Sequence, residues 1–437
     1  MNKQAHLFPQ SAVTTRPSTI DRVAGCLAPL TLYVDPTSQI ILASSELTEA
    51  ELAFPFSFVV MPFFLLYVFH QGFHRYFAKV PSTLLAIGLF TLYCLVLSTI
   101  VSITRDSDAT LYAVQWLVSF FWLPYCLTIM GTPRFQTFIK WFSYGVLFSI
   151  FWYFTAAALE YVFYGGLGDD GRMSQNLILP GQYQIAVYVP TVTAISVSLV
   201  NAMVIGKLLP MRRATFLIMN GAAFMALLAL AAREGVLVYL MTSGLFVMAR
   251  SPNVRALSII AAIAIGAAIV VNLNSIFESF AASDLRMLNK IATLQDEEAR
   301  FSYRDVMIKD AMQIFWWDPT FGSRFLPPTN SHFGDAIHAP SAHNMYVDAF
   351  VWTGLFGGVL FCLIMLRFLA SSIRMVLSNQ GGDEQMAWKL SAIVFIVFLV
   401  VSNNTNVPMR QPVVSPLAAL MMAICLHSDA LRRAAKK

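Results

Sequence analysis

Apolar runs about as long as a bilayer is thick recur along this 437-residue chain, and no other feature constrains its fold so strongly. A hydrocarbon core of ~30 Å is crossed by a helix of about 20 residues, because a helix satisfies its own backbone where no water can. Twelve runs fit, at roughly 23–43, 52–69, 80–103, 109–130, 141–164, 183–206, 214–232, 235–249, 256–277, 345–369, 388–402 and 413–427. Charged residues make up only 12% of the chain, where a soluble domain carries about 25%, so an ordinary soluble enzyme is excluded. The expected fold is an all-α polytopic membrane protein of about 12 transmembrane helices. The first run is the least regular, since it contains Asp35-Pro36. The polar leader before it, Met1 to Arg22, is long for the n-region of a signal peptide, so the run is read as an uncleaved helix.

Twelve spans put both termini on one side, and short loops rich in Lys and Arg face the cytoplasm. With the N-terminus inside, 19 basic residues fall in cytoplasmic segments and four, Arg105, Arg172, Arg233 and Arg410, in short outer loops. Both termini are therefore expected on the cytoplasmic side. The same count accounts for the net charge of +5 without nucleic acid as a partner.

One connection is much longer than the rest, residues 278–344, and it lies on the outer side. The chain thus divides into a membrane bundle at 1–277, a large outer loop at 278–344, which a bacterial inner-membrane location would make periplasmic, and C-terminal membrane helices with a basic tail at 345–437. Long ordered loops carry function. Within this one, Ser283–Glu298 and Arg304–Trp317 read as short helices. The second is amphipathic, with Asp305, Lys309 and Gln313 four apart, and Asp318-Pro319 stops it. Trp316 and Trp317 suit a membrane surface.

Two positions stand out beside the loop. Arg233-Glu234-Gly235 is a three-residue connection that puts an arginine at the outer boundary, where it meets an anionic ligand or pairs with Glu234. His343-Asn344 opens the tenth run. Asn344 suits an N-cap and Asp348 the positive end of a helix, but neither role explains the histidine. His332, His338, His343 and Asp335 lack the tight paired spacing of a zinc site, so no metal and no cofactor is expected. Cys26, Cys94, Cys126, Cys362 and Cys425 all sit in apolar runs and read as packing residues. A polytopic transporter or a flippase for lipid-linked oligosaccharides is the competing class. It calls for ionisable groups along a path near the midplane, and the few charges inside the runs, Asp35, Glu160 and Asp348, lie near their ends.

Three motifs together resemble the O-antigen ligase and polymerase superfamily of bacterial glycan assembly. His343-Asn344-Met345-Tyr346 followed by Gly354 and Gly357 is similar to the family's His-Asn-x-Tyr with a later Gly-x-x-Gly. Arg304 to Gly322 resembles its arginine-led helix ending in Pro-x-x-Gly, here Pro319-Thr320-Phe321-Gly322. Ala232-Arg233-Glu234-Gly235 resembles its Ser-Arg-Gly turn. Departures are Ile308 where a tryptophan is frequent, Gly322-Ser323-Arg324 in place of Gly-x-Gly, and Glu234 in the arginine turn.

The resemblance implies a metal-independent, inverting membrane glycosyltransferase. Such an enzyme moves a glycan from undecaprenyl diphosphate to an acceptor hydroxyl on the periplasmic face, as an O-antigen or exopolysaccharide polymerase or an O-antigen ligase, with polymerase favoured by analogy. Its partners would be the lipid-linked donor, a glycan or lipid A core acceptor, membrane lipids and other polysaccharide-assembly proteins. A leaving diphosphate calls for guanidinium groups, which stay charged and offer paired donors. Arg233 and Arg304, with Arg300 as a third member, are the expected diphosphate clamp. Deprotonating the acceptor calls for a base that works near neutral pH, and His343 is the expected catalytic residue.

Overall fold

The computed structural model describes residues 18–29, 81–105, 109–164, 189–229, 233–250, 297–326, 342–378, 382–405, 409 and 414–435. The runs expected at 52–69 and 256–277 lie outside the described residues, as does nearly all of the helix expected at Ser283–Glu298.

Among the described residues every regular element is a helix. In chain order these are α1 (Thr19–Leu27), α2 (Pro81–Arg105), α3 (Ala109–Ile129), α4 (Pro133–Tyr164), α5 (Val189–Ile205), α6 (Arg213–Ala229), α7 (Arg233–Arg250), α8 (Glu297–Trp317), α9 (Met345–Leu377), α10 (Asp383–Val397) and α11 (Ser415–Ala435). A turn of π-helix, Phe398–Ser402, extends α10 and leads into a short helical turn at Asn403–Thr405. Three stretches are long and apolar enough to cross a membrane: Ser82–Arg105, Met345–Leu377 and Asp383–Ser402.

Helix α5 is the hub. Every residue from Val189 to Met203 is buried, and α4, α6, α7 and α10 pack around it. Helix α11 is likewise enclosed, between α3, α9 and α10. The outer helices instead expose apolar stripes. On α2, Leu85, Leu89, Leu92, Val96, Ile100 and Ile103 recur every three or four residues and face outward, while Leu84, Ile87, Phe90 and Cys94 face inward. Helix α9 exposes Leu355, Phe356, Val359, Leu363 and Leu366 in the same way. Surfaces this apolar are solvated by lipid chains, and in that solvent polar contacts hold helices together. Asn201 and Asn220 exchange side-chain hydrogen bonds of 2.6 and 3.0 Å between α5 and α6, and the Tyr239 hydroxyl of α7 donates to Asn220 Oδ1 at 2.7 Å.

The N-terminal end departs from expectation. The described part of the first run is the end of a nine-residue helix, α1, which begins at Thr19 under a capping box between Ser18 and Asp21. It packs on α4. Arg134, expected in a cytoplasmic loop, is 1% exposed, and its guanidinium meets the buried Asp21 carboxylate with Nη2 at 2.8 Å and Nε at 2.9 Å. Tyr125 of α3 donates to the same carboxylate at 3.1 Å. Each lone pair and donor used here reduces the cost of desolvating the two charges.

Candidate functional site

The site is built on a break in α9. Gly354 has φ 66° and ψ −168°, a region that only glycine occupies readily, so the helix is interrupted nine residues after Met345. The interruption releases backbone groups that must find partners at membrane depth. The turn following α8 supplies them: Ser323 N–H donates to Val351 O, and Leu355 N–H to Pro319 O, both at 2.7 Å. The Tyr93 hydroxyl of α2 donates to Thr353 O at 2.8 Å.

Close approach on both sides makes this joint. A Cβ on Gly354 would lie 2.5 Å from Phe321 N and nearer still to the Thr320 carbonyl. One on Gly322, itself at φ 62°, would lie 2.7 Å from Gly354 N and nearer to Val351 O. The Pro319-Thr320-Phe321-Gly322 turn and the glycine of the tenth run, two separate features of the sequence, therefore lock into one another. Asp318 organises the turn. Its backbone carbonyl accepts Gly322 N–H at 2.7 Å, its carboxylate accepts Phe321 N–H at 3.1 Å, and it forms an ion pair with Arg324. Partial burial works against the Asp318 charge, but the hydrogen bonds and the Arg324 guanidinium outweigh it and hold the carboxyl below its ordinary pKa.

Helix α8 begins seven residues before the expected Arg304. Lys309 and Gln313 are exposed as the pattern predicts, but Asp310 is buried beside Ala311 and Ile314. Ile308, Met312 and Trp316, four apart, face outward with Trp317, so the exposed face is mixed rather than polar. That is the composition of a helix at a lipid boundary.

His343 sits at the mouth of α9, exposed, with φ 49°. A non-glycine residue holds this left-handed conformation only where its neighbours fix it. Here both do. Ala342 N–H donates to the buried Asp348 carboxylate at 2.8 Å, and Asn344 Oδ1 caps α9 by accepting Tyr346 N–H at 3.0 Å and Val347 N–H at 3.1 Å. Asn344 is the N-cap its position predicts, and Asp348 does more than complement the helix dipole. The Tyr346 hydroxyl reaches Leu399 O at 2.7 Å, and Asn344 Nδ2 approaches Asn404 at 3.3 Å.

Arg233 is the first residue of α7, and Arg300 and Arg304 lie within α8; the placement of these three side chains is outside the described residues. Glu234 accepts the Thr191 hydroxyl of α5 at 3.0 Å, and Gly235 lies so close to Pro190 that a Cβ would be 2.7 Å from Pro190 Cβ. The first turns of α5 and α7 are thus side by side. The far end of α5 meets the start of α10, where Lys207 pairs with Asp383 at 3.2 Å. Helix α10 consequently runs back toward the first turns of α5 and α7, and its π turn packs against α7. One end of the bundle therefore gathers the backbone of Arg233, the π turn and the His343 mouth.

Asn403 and Asn404 were not legible as site residues, because they follow the apolar run 388–402 and read as loop. Two adjacent asparagines at a span end were the available signal. His332, Asp335 and His338 lie outside the described residues. Among the described residues no group of three or more His, Cys, Asp or Glu side chains converges.

These features define an all-helical membrane protein with a broken helix and a histidine-led turn at one end of its bundle. Residues 216–362, about a third of the chain, match the family described as O-antigen ligase, which supports the resemblance to the O-antigen ligase and polymerase superfamily. No curated protein matches the chain.

Proposed function

We infer that the protein is a periplasm-facing glycosyltransferase of the bacterial inner membrane. It transfers a glycan from undecaprenyl diphosphate to an acceptor hydroxyl, as a polysaccharide polymerase or an O-antigen ligase, with polymerase as the first reading. The observation that carries this is that the family match at 216–362 encloses Arg233, Arg300, Arg304 and His343. In the proposed reaction the acceptor oxygen attacks the anomeric carbon as the bond to diphosphate breaks. His343 takes the hydroxyl proton, and the arginines stabilise charge developing on the leaving diphosphate. Attack opposite the leaving group inverts the anomeric centre. Guanidinium groups supply the positive charge, so the scheme calls on no metal or cofactor.

The topology in this reading is twelve spans with both termini cytoplasmic and 278–344 periplasmic, between a bundle at 1–277 and the helices of 345–437. Contacts between chain segments support the sidedness. Arg367 Nη2 donates to Ser82 Oγ at 2.7 Å, Lys207 pairs with Asp383 and Arg374 with Asp429, each joining ends that the charge count assigns to the cytoplasm.

Purified protein supplied with lipid-linked oligosaccharide from the native host tests the proposal. Elongated lipid-linked product identifies a polymerase, and product formed only on added lipid A core identifies a ligase. If no acceptor yields a glycosidic bond, transfer is refuted and transport becomes the leading function.

A further inference from the structure

The residues that follow the candidate base, Asn344 and Tyr346, are held by a helix outside the family-matched segment. Asn403 N–H reaches back five residues to Phe398 O, which closes the π turn and leaves Leu399 O without its usual α-helical donor. The Tyr346 hydroxyl occupies that carbonyl at 2.7 Å. The extra residue in the turn also sets the direction of Asn404. Its Nδ2 is fixed on Val400 O at 2.8 Å, which presents Oδ1 to Asn344 Nδ2 at 3.3 Å; the Asn404 carbonyl lies at 3.4 Å from the same nitrogen. Asn344 therefore uses its oxygen to cap α9 and its nitrogen to hold α10, and its backbone is the C-terminal neighbour of His343.

We propose that the π turn of α10 is the support that keeps His343 in its left-handed, outward-facing conformation, with Asn404 as the positioning residue. This rests on the reading of His343 as the base. Three constraints surround that strained residue: the Asp348 carboxylate through Ala342, the cap made by Asn344, and Asn404 acting on the Asn344 amide. The first two lie in the chain segment that carries the histidine. The third, like the Tyr346 hydroxyl on Leu399 O, ties the segment to a different membrane helix, and so helps to fix the imidazole relative to the bundle as well as to its own turn. A base displaced by an ångström loses rate without losing substrate affinity.

Full-length protein in lipid nanodiscs, assayed with lipid-linked oligosaccharide from the native host, tests this. Asn404→Leu keeps the side-chain size and removes the acceptor oxygen. It is expected to lower kcat about three- to tenfold, the range of one hydrogen bond, with the donor KM and thermal midpoint unchanged. Asn404→Asp keeps the acceptor oxygen but loses the Nδ2 donor to Val400 O, and is expected to recover part of the rate. Equal rates in the two variants, an effect confined to KM, or a loss that follows the thermal midpoint would overturn the positioning role. His343→Ala, run in parallel, separates the two levels. Wild-type activity in that variant overturns the reading of His343 as the base and this inference with it. Loss of activity there, with Asn404→Leu at the wild-type rate, overturns the positioning role alone.

Discussion

Replacing Gly354 with alanine tests whether the joint between the α8 turn and the break in α9 is a structural commitment. Two penalties arise. The backbone at φ 66°, ψ −168° costs a residue with a Cβ about 1–3 kcal/mol. The methyl group also presses on the Thr320 carbonyl and on Phe321 N at 2.5 Å, and overpacking of this kind costs about 1–3 kcal/mol. Together they oppose the joint by about 2–6 kcal/mol. The joint is held by two hydrogen bonds, Ser323 to Val351 and Leu355 to Pro319, which contribute about 1–3 kcal/mol as a pair. Phe325, buried against Trp352, adds about 1.5–3 kcal/mol. The opposing sums are comparable, so the turn should open part of the time rather than absorb the methyl. Hydrogen exchange at the Ser323 and Leu355 amides reads this directly. A weakening of about 2 kcal/mol lowers protection roughly 30-fold. Gly88→Ala is the control, since a Cβ there meets nothing within 4 Å, and it should leave the same amides unchanged. Protection within threefold of wild type in Gly354→Ala would refute the steric reasoning. Gly322→Ala should resemble Gly354→Ala, and the double variant should cost less than the sum, because a joint already open has little left to lose.

Arg233→Ala and Arg304→Ala should each lower glycan transfer by at least about a hundredfold while leaving membrane insertion intact, and lysine at either site should restore only part of it; full activity removes that arginine from the clamp. His343→Ala should cost about a hundred- to ten-thousandfold in kcat, read in the same assay. Asp318 has a lowered pKa, so its stabilisation of the turn is complete above the ordinary carboxylate value near ~4 and fades as pH falls through the folded value. Ser323 amide protection should therefore decline in acid, and Asp318→Asn should abolish that decline; an acid response unchanged in Asp318→Asn places its origin elsewhere. Asp21→Ala should destabilise the protein by about 3–5 kcal/mol by stranding Arg134, and Asp21→Ala with Arg134→Met by less, measured as thermal midpoints in nanodiscs.

Hydropathy marks the three described stretches long and apolar enough to cross a bilayer, because their length and apolar content suit its thickness, and 345–369 was readable on that basis alone. The break inside it was not. An apolar run carries no record of a φ angle, so Gly354 stands out in the sequence as a motif glycine, while the break it makes shows only in its fit against Gly322. Helix α8 was located by its periodicity, yet the burial of Asp310 and the exposure of Ile308 and Met312 invert part of its expected face, since a helix at a lipid boundary need not turn its apolar residues inward. The Asn344 cap followed from its place before the run. Asn404 escaped because its role depends on a π turn, which shifts register by one residue and leaves no pattern in composition. Arg134 was counted among loop cations because its partner Asp21 is 113 positions away, beyond the reach of any local spacing rule.

That same separation gives the Asp21–Arg134 pair a role in time. The carboxylate leaves the ribosome 113 residues ahead of the guanidinium that neutralises it. At about 5–20 residues per second, this is an interval of roughly 6–23 s. Asp21 cannot enter its buried position during that interval, because an unpaired carboxylate costs several kcal/mol to desolvate. Helix α1 therefore docks after α4 has been synthesised, although it is made first. Nascent chains arrested before and after Arg134 emerges should differ in the accessibility of Cys26 to a thiol reagent, and equal labelling would show that docking does not wait for the arginine.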